Sequence, residues 1–271
     1  MKSSKPATDY SIGELMAVSI ARQMEVHDGD WAAIGAYSEL PMASMKLARL
    51  LYAPNLWWMS GGGGAINSTS KVVRSTSDFR VIRGAEYVMN MQDIVDIEMW
   101  RFSRGREKVV AVVGGIQIDK HGASNMVCVG DYANPTVRGV GTVGLCFGVS
   151  FSMVYFFTLH HNPKIFVDQV DFISSPGHTE ARRKYVPEGC EGPQLVFSPL
   201  GIFDFESAAR TMRLRSLHPG VTATEVVEKT GFELAIPDDV PETDPPTELE
   251  LTLLRNAIDP DGVLRELRIT R

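Results

Sequence analysis

The stretch with the clearest potential for chemistry is a bulky apolar run, residues 57–59, that is followed by Ser60 and four consecutive glycines, residues 61–64. The apolar run predicts a buried strand, and consecutive glycines predict a turn where the backbone comes close to another group. Because glycines leave successive N–H groups accessible, such a turn suits a phosphate, a carboxylate or the oxygen of a polarised thioester carbonyl. A flexible surface loop is the structural alternative.

A strand, a loop and a helix must position this glycine turn. Residues 31–35 predict a short buried strand, residues 36–41 predict a loop that contains Glu39, and residues 42–51 predict a helix leading towards the apolar run. This βαβ order predicts a parallel sheet with helices on its faces. Ligands bind such sheets outside the carboxyl ends of the strands. We therefore expect Glu39 and the glycines at the same edge of the sheet.

A second glycine-rich segment, residues 138–144, contains the letters G-x-G-x-x-G. Dinucleotide binding requires that motif between a first strand and its helix, so its position in the middle of the chain argues against NAD. Upstream, Gln117 and Asp119 lie in a predicted extended segment. Burying two such polar groups is costly unless they are hydrogen-bonded. The pair is therefore either a structural hydrogen-bond bracket or part of a site.

Two helices are predicted from the signals at their N-termini. Ser11 with Glu14, and again Thr247 with Glu250, have the spacing of a capping box, in which the two residues satisfy each other's backbone amides. An acidic, proline-rich segment, residues 237–246, precedes the second helix. We expect one α/β domain over residues 1–236, followed by this linker and a C-terminal helical arm that together span residues 237–271.

The composition argues against several classes of function. The 271 residues carry a net charge of −6, with 27 basic and 33 acidic side chains, which disfavours binding to nucleic acid. No apolar run reaches the roughly 20 residues of a membrane span, and no apolar segment follows the N-terminal lysines, so we expect a cytoplasmic protein without membrane contact. Three scattered cysteines and the adjacent His160 and His161 lack metal-ligand spacing, so we expect no metal.

Taken in order, the segments of this chain resemble the β subunit of the class I CoA-transferase family, most closely the glutaconate CoA-transferase type. The resemblance covers nearly the whole chain, and the pieces that carry it are residues 51–55 (LYAPN), 114–119 (GGIQID), 129–132 (VGDY), 170–177 (VDFISSPG), 192–196 (GPQLV), 218–222 (HPGVT) and 228–233 (EKTGFE). It implies an open three-layer α/β/α sandwich with a mostly parallel sheet. Members of the family work as α/β heteromers with the active site between the two subunits.

The resemblance also implies that a nucleophile is missing. In the transferases a β-subunit glutamate attacks the acyl-CoA thioester, and alignment on Ala53 and Pro54 places that glutamate at Gly61. Glycine has no nucleophile, and Ser60, the nearby oxygen nucleophile, would need a base that the sequence does not reveal. The second glycine loop departs as well, because Val143 replaces a residue of the transferases' G-S-G-G pattern, although Gly141 and Gly144 match.

The missing glutamate and the changed glycine loop are similar to those of two branches of the family. One is the β subunit of the hydrolase that opens the last ring of steroid degradation intermediates, and the other is a glutaconyl-CoA-type decarboxylase. In both, the CoA ester stays on the substrate, and backbone donors can stabilise a thioester enolate without a protein nucleophile. The resemblance thus favours hydrolytic C–C cleavage or decarboxylation over CoA transfer. A genuine glutaconate- or 3-oxoacid-type transferase subunit and a non-catalytic scaffold subunit are the alternatives.

The implied site combines a local carboxylate with groups that contact the CoA thioester substrate. Glu39 is the candidate acid or base of this chain. Its structural alternative is helix capping or exposure to solvent. The main acid or base is expected on the partner α subunit. The candidate substrate-binding residues are Ser60, Gly61, Gly62, Gly63, Gln117, Gly141, Thr142 and Gly144. No permanently bound cofactor is expected. The implied partner is a separate α subunit of the same family in an α2β2 assembly.

Overall fold

The computed structural model describes residues 5–90, 92–94, 108–149, 153–186, 190–206 and 208–271. The chain divides into two compact units: unit 1 comprises Met1–Val113 and Asp244–Ile269, and unit 2 comprises Gly114–Thr243 and Thr270–Arg271. The chain enters unit 1 again at Asp244, within the predicted linker of residues 237–246. The domain boundary at residue 236 stays a prediction.

The helices whose two ends are described are short except for the first two. They are α1 (Ile12–Gln23), α2 (Glu39–Leu51), α3 (Phe79–Arg83), α4 (Glu180–Tyr185), α5 (Ala223–Glu228) and α6 (Glu248–Leu253). Met24–His27 and Val143–Val149 form 3₁₀ segments, and Leu254–Ile258 forms a π-helical turn after α6. In the described ranges, no helix is long and apolar enough to cross a membrane.

The strands of unit 1 are β1 (Trp31–Ile34), β2 (Trp57–Ser60), β3 (Ala65–Ile66), β4 (Tyr87–Val88) and β5 (Val109–Val113). Their order is β5-β1-β2-β3-β4. β1 runs parallel to both β5 and β2, with Ile34 opposite Ser60, whereas β3 and β4 add antiparallel strands. The parallel strand–helix–strand unit predicted from the sequence is thus confirmed.

Helix α2 begins three residues earlier than the sequence pattern predicted. It starts at Glu39, so the prediction that Glu39 lies in a loop is wrong. Pro41 fits the first turn because the amides there need no acceptor within the helix. Ser38 occupies the N-cap position, but its side chain makes no capping hydrogen bond.

A buried lysine links α2 to the sheet of unit 1. Lys46 is 9% exposed, and its ammonium donates a hydrogen bond to the carbonyl of Ser68 and lies 5.2 Å from the ring centroid of Trp58. Burial, together with the charge of Arg49, lowers the pKa of Lys46 to about 8. Trp58 is buried under this cation. It therefore belongs to the core of unit 1.

The strands in the described residues of unit 2 fall into three groups. Its strands are β6 (Gln117–Asp119), β7 (Ser124–Asn125), β8 (Cys128–Val129), β9 (Val137–Arg138), β10 (Met153–Phe157), β11 (Phe166–Val167), β12 (Gly192–Phe197), β13 (Gly201–Asp204) and β14 (Arg213–Leu217). β10 pairs parallel with β12, and β13 and β14 follow antiparallel. β11-β6-β7 and β8-β9 form the two smaller groups.

His161 is a neutral core residue of unit 2. Its Nδ1 lies 2.8 Å from the Ser198 hydroxyl, and its Nε2 lies 3.1 Å from the Thr230 hydroxyl. The Thr230 hydroxyl donates to the carbonyl of Val226, so it accepts from Nε2–H, and Nδ1 accepts from Ser198. Burial lowers the pKa of His161 to about 3. The described residues contain no cluster of His, Cys, Asp and Glu that could hold a metal.

The first predicted capping box also joins two helices of unit 1. The Glu14 carboxylate accepts a hydrogen bond from the backbone N–H of Ser11, at 2.8 Å, and the Ser11 hydroxyl accepts one from the N–H of Glu14. The same carboxylate accepts two hydrogen bonds from the guanidinium of Arg255, at 2.7 and 3.0 Å. Glu14 therefore caps α1 and binds the turn that follows α6.

The second capping box makes the converse link, from α6 back to α1. Glu250 accepts from the backbone N–H of Thr247 and binds the guanidinium of Arg22 on α1 through two hydrogen bonds of 2.7 and 2.8 Å. The hydroxyl of Tyr52 donates to the same carboxylate. Burial opposes ionisation of Glu250, but these hydrogen bonds outweigh it and lower the pKa of the carboxyl. Two capping glutamates therefore hold α1 and α6 together.

Replacing Glu250 by Gln should lower the free energy of unfolding by about 2 kcal/mol, because it leaves Arg22 half-buried without its counter-charge. Chemical denaturation at neutral pH measures the change, with the exposed Glu248→Gln on the same helix as the matched control. The pKa of Glu250 is lowered in the folded state, so its contribution is complete above the ordinary value of 4.5 and is lost as the pH falls through the folded value. A difference from wild type that is equal for both variants, or that persists undiminished in acid, would contradict this account.

Candidate functional site

The glycine turn begins at the carboxyl end of β2, beside the carboxyl end of β1. The N–H of Gly61 donates to the carbonyl of Ile34 at 2.8 Å, which extends the parallel pairing by one residue. Residues 35–38 leave β1 at the same edge and lead into Glu39. Unit 1 therefore brings Glu39, Ser60, Gly61 and Gly62 to one edge of its sheet, as the βαβ pattern predicts.

Most backbone N–H groups of the glycine turn are already hydrogen-bonded within unit 1. The N–H groups of Gly63 and Gly64 both point to the carbonyl of Ser60, at 3.4 and 2.9 Å, and that of Gly61 is engaged by Ile34. Among the described residues, the N–H of Gly62 has no hydrogen-bond partner, and Gly62 is exposed. Of the successive accessible N–H groups expected from the four glycines, only that of Gly62 lacks a partner among the described residues.

The four glycines are not equally required by the fold. Gly64 has a φ of +66°, and a Cβ there would overlap the carbonyl of Met89; a Cβ at Gly62 would overlap the hydroxyl of Ser77. At Gly61, in contrast, φ is ordinary and a Cβ would meet only the carbonyl oxygen of Ile34, at 3.0 Å. A side chain at position 61 is therefore possible after a small adjustment.

A short hydroxyl-rich segment covers the loop that follows β1. The hydroxyl of Thr76 donates to the carbonyl of Gly35 at 2.8 Å, its N–H donates to the carbonyl of Ala36 at 2.7 Å, and the hydroxyl of Ser75 reaches the same carbonyl. These bonds place the exposed Ser77 beside Gly62. Sequence reasoning missed this segment, because serines and threonines without regular spacing give no motif.

Ser60 and Glu39 differ in how a ligand could use them. Ser60 is fully buried, and its hydroxyl accepts from the N–H of Ala65 at 3.3 Å, which makes it part of the turn's internal structure. Glu39 is half-buried at the start of α2, and burial raises the pKa of its carboxyl above 4.5 against the opposing effects of its own N–H and of Arg74. A carboxyl with a raised pKa suits proton transfer near neutral pH.

Gln117 lies in unit 2 and acts as a hydrogen-bond bracket. Its Oε1 accepts from the side chain of Asn125 at 2.7 Å and from the N–H of Asp171 at 3.1 Å, while its Nε2 donates to the Asp171 carboxylate. That carboxylate also accepts from the N–H of Gly130 at 2.9 Å. The geometry favours the structural alternative for Gln117, and a role in substrate binding stays a prediction.

The second glycine loop is open. A Cβ at Gly141 or Gly144 would meet nothing within 4 Å, and the N–H of Gly141 donates to the carbonyl of Met126, which follows Asn125 of the bracket. The N–H of Leu145, just after Gly144, donates to the carbonyl of Thr142, and between the two glycines the exposed Val143 has a φ of +53°. A β-branched residue rarely adopts this conformation, so the loop keeps the shape of a glycine turn although one glycine position is filled.

Replacing Gly64 by Ala should abolish or severely reduce folding of the chain, because the new Cβ would overlap backbone atoms at a positive φ. Replacing Gly61 by Ala should change the free energy of unfolding by about 1 kcal/mol or less, since only one carbonyl oxygen must shift. Comparing the soluble yield and the unfolding midpoint of the two variants tests the geometry of the turn. Equal stability of the two alanine variants would show that this geometry is wrong.

Nearly the whole chain is similar in sequence to subunits of two CoA-transferases and of a ring-cleaving hydrolase. The family model described as coenzyme A transferase matches residues 15–229. The B subunit of glutaconate CoA-transferase from Acidaminococcus fermentans is 29% identical over 256 residues, which cover 93% of this chain and 94% of that protein. The B subunit of 3-oxoadipate CoA-transferase from Pseudomonas knackmussii is 31% identical over 91% of this chain and 92% of that protein. The IpdB subunit of the cholesterol ring-cleaving hydrolase from Rhodococcus jostii is 31% identical over 95% and 96%.

Solved structures give the same result for the fold. The glutaconate coenzyme A-transferase of Acidaminococcus fermentans superposes with a TM-score of 0.86 at 27% identity, covering 96% of this chain and 99% of that one. The decarboxylase AibA/AibB superposes with a TM-score of 0.80 at 23% identity, covering 96% and 99%, and supports the fold alone. The predicted α/β fold of the CoA-transferase type is confirmed, and the chain belongs to the coenzyme A transferase family.

Proposed function

We propose that this chain is the β subunit of a heteromeric enzyme that acts on an acyl-CoA thioester by cleaving a C–C bond, through hydrolytic ring opening or decarboxylation, without transferring CoA. The observation that carries this proposal is Gly61. It occupies the position where the resemblance places the transferases' nucleophilic glutamate, at the carboxyl end of β2. Without a carboxylate there, this chain has no group at that position to form an enzyme-bound CoA thioester.

The packing around Gly61 supports a chemical reason for the missing side chain. Gly64 is required by its positive φ and by the nearby carbonyl of Met89, whereas Gly61 has no positive φ and a Cβ there would meet only the carbonyl oxygen of Ile34, at 3.0 Å. The fold therefore does not demand glycine at this position. An enzyme that keeps CoA on its substrate has no use for a nucleophile beside the thioester, and an empty position leaves that space to the acyl chain.

The remaining groups at this edge suit a developing enolate. The exposed N–H of Gly62 is a donor for a thioester oxygen, and a preorganised donor stabilises negative charge that appears there in the transition state. Glu39, with its raised pKa, is a carboxyl that can move a proton at the same edge. Gly63, with its amide engaged by Ser60, shapes the turn; Gly141, Thr142 and Gly144 are proposed as further contacts for the substrate.

A partner subunit completes the proposed enzyme. The relatives from Acidaminococcus and Rhodococcus are each one subunit of a larger enzyme, and this chain matches them over nearly their full length. One amide and one carboxyl are a small catalytic set for C–C cleavage, so we assign the main acid or base to a separate α subunit. The CoA thioester enters as substrate, and no permanently bound cofactor is assigned.

A genuine CoA-transferase is the second candidate, because relatives of equal identity carry that name. Mass spectrometry of the co-purified complex after incubation with acyl-CoA separates the two functions. The wild-type chain should form no covalent CoA adduct, whereas Gly61→Glu, whose Cβ would meet only the carbonyl oxygen of Ile34, should form one on the new carboxylate. A CoA adduct on the wild-type chain would overturn the proposal. A Gly61→Glu chain that folds and binds acyl-CoA, yet forms no adduct, would contradict the assignment of position 61.

Glu39→Gln should lower kcat of the assembled complex by about 100-fold with little change in KM, because a positioned general acid or base contributes on the order of 10²–10⁴ to a rate. The residual rate should also lose the acidic limb of its pH profile, which in the wild type should lie above pH 4.5 because burial raises this pKa. The exposed Glu248→Gln is the control for an equal loss of charge. An unchanged kcat would remove Glu39 from the mechanism.

A further inference from the structure

A basic pocket lies on unit 1 between α3 and the turn after α6. It has a volume of about 310 Å³, and its charged lining consists of Lys71, Arg80, Arg83 and Asp261. This volume is at the lower end of the range for small-molecule sites, which suits part of a nucleotide. Neither the sequence motifs nor the proposed reaction uses any of these side chains.

The walls of the pocket are fixed by backbone contacts. The N–H and the hydroxyl of Thr69 both donate to the carbonyl of Gly84, at 2.8 and 3.0 Å. A Cβ at Gly84 would come within 2.8 Å of the N–H of Ser70, so the two segments pack closely. On the opposite side, the backbone N–H groups of Val263 and Leu264 bind the Asp259 carboxylate and hold the turn that carries Asp261.

The charges of the pocket are incompletely paired. Arg80 binds Asp78 through two hydrogen bonds of 2.8 and 2.9 Å, and Lys71 lies 3.4 Å from Asp261 in an exposed ion pair. Among the described residues, Arg83 has no hydrogen-bond or ion-pair partner, and it is exposed. Three cations thus face one lining carboxylate, and Arg83 presents a free guanidinium, which matches phosphate oxygens in a bidentate geometry.

Helix α3 places this pocket close to the glycine turn. A Cβ at Gly63 would lie 3.2 Å from the side chain of Ile82, so Ile82 faces the turn. Arg80 and Arg83, three residues apart, share another face of the same helix. A helix with its side chains is about 10–12 Å across. The pantetheine arm of CoA, which separates the thioester from the phosphates, is longer than this and can extend around the helix.

We propose that Lys71, Arg80 and Arg83 bind the phosphate groups of CoA, with Arg83 as the principal contact and Asp261 as a counter-charge that phosphate displaces from Lys71. This inference rests on the proposed function, because it assigns the nucleotide end of the same thioester substrate. It adds a recognition site outside both glycine loops.

Isothermal titration of the co-purified complex with CoA and with dephospho-CoA tests the proposal. Arg83→Met should weaken CoA binding about tenfold, as expected for the loss of one charge-assisted contact. Asp261→Asn should strengthen binding by about threefold, because Lys71 is then released from its ion pair. Arg215→Met, which removes an exposed arginine from unit 2, should leave the Kd unchanged and controls for net charge.

The two ligands distinguish the phosphate groups. If the pocket holds the 3′-phosphate, dephospho-CoA binds more weakly to the wild type and is insensitive to Arg83→Met; if it holds the diphosphate, both ligands lose affinity equally. CoA binding that is the same in wild type, Arg83→Met and Asp261→Asn would overturn the phosphate site while leaving the proposed function intact. A wild-type complex that binds neither CoA nor acyl-CoA would overturn both.

Discussion

The proposed chemistry of unit 1 depends on the parallel pairing of β1 with β2. This register sets Ile34 opposite Ser60, so the chain leaves both strands at the same edge. The hydrogen bond from Gly61 to Ile34 then carries the pairing one residue beyond the strand and fixes where the turn starts. A shift of the register would move the start of α2, which carries Glu39, relative to the glycine turn, which carries the Gly62 amide.

Sequence reasoning recovered the parts of the structure that have a local cause. The apolar run before the glycines, the βαβ order and both capping boxes are patterns of neighbouring residues, and the structure contains all of them. The family, which rests on the joint order of many short segments, is confirmed as well. The sequence pattern predicts the start of α2 too late, because Pro41 is typical of a loop but is equally acceptable in a first helical turn.

The parts that escaped the sequence depend on contacts between distant residues. No local pattern shows that Glu14 binds Arg255 while Glu250 binds Arg22, or that the amides of Gly63 and Gly64 are used by Ser60. Fewer glycine N–H groups are therefore available to a ligand than the sequence predicts. The hydroxyls of residues 75 and 76 likewise reach the loop after β1 only through bonds to Gly35 and Ala36, and the cations around Arg83 come together only where α3 lies beside the turn after α6.

In the proposed reaction CoA stays on the substrate while a C–C bond is broken. The first experiment is therefore turnover of a cyclic or dicarboxylic acyl-CoA by the complex, followed by mass spectrometry with and without an added acceptor acid. We expect consumption that does not need the acceptor and a product that still carries CoA, with either ¹⁸O from labelled water in a new carboxylate or release of carbon dioxide. Consumption that requires the acceptor and transfers CoA to it would show that the enzyme is a CoA-transferase.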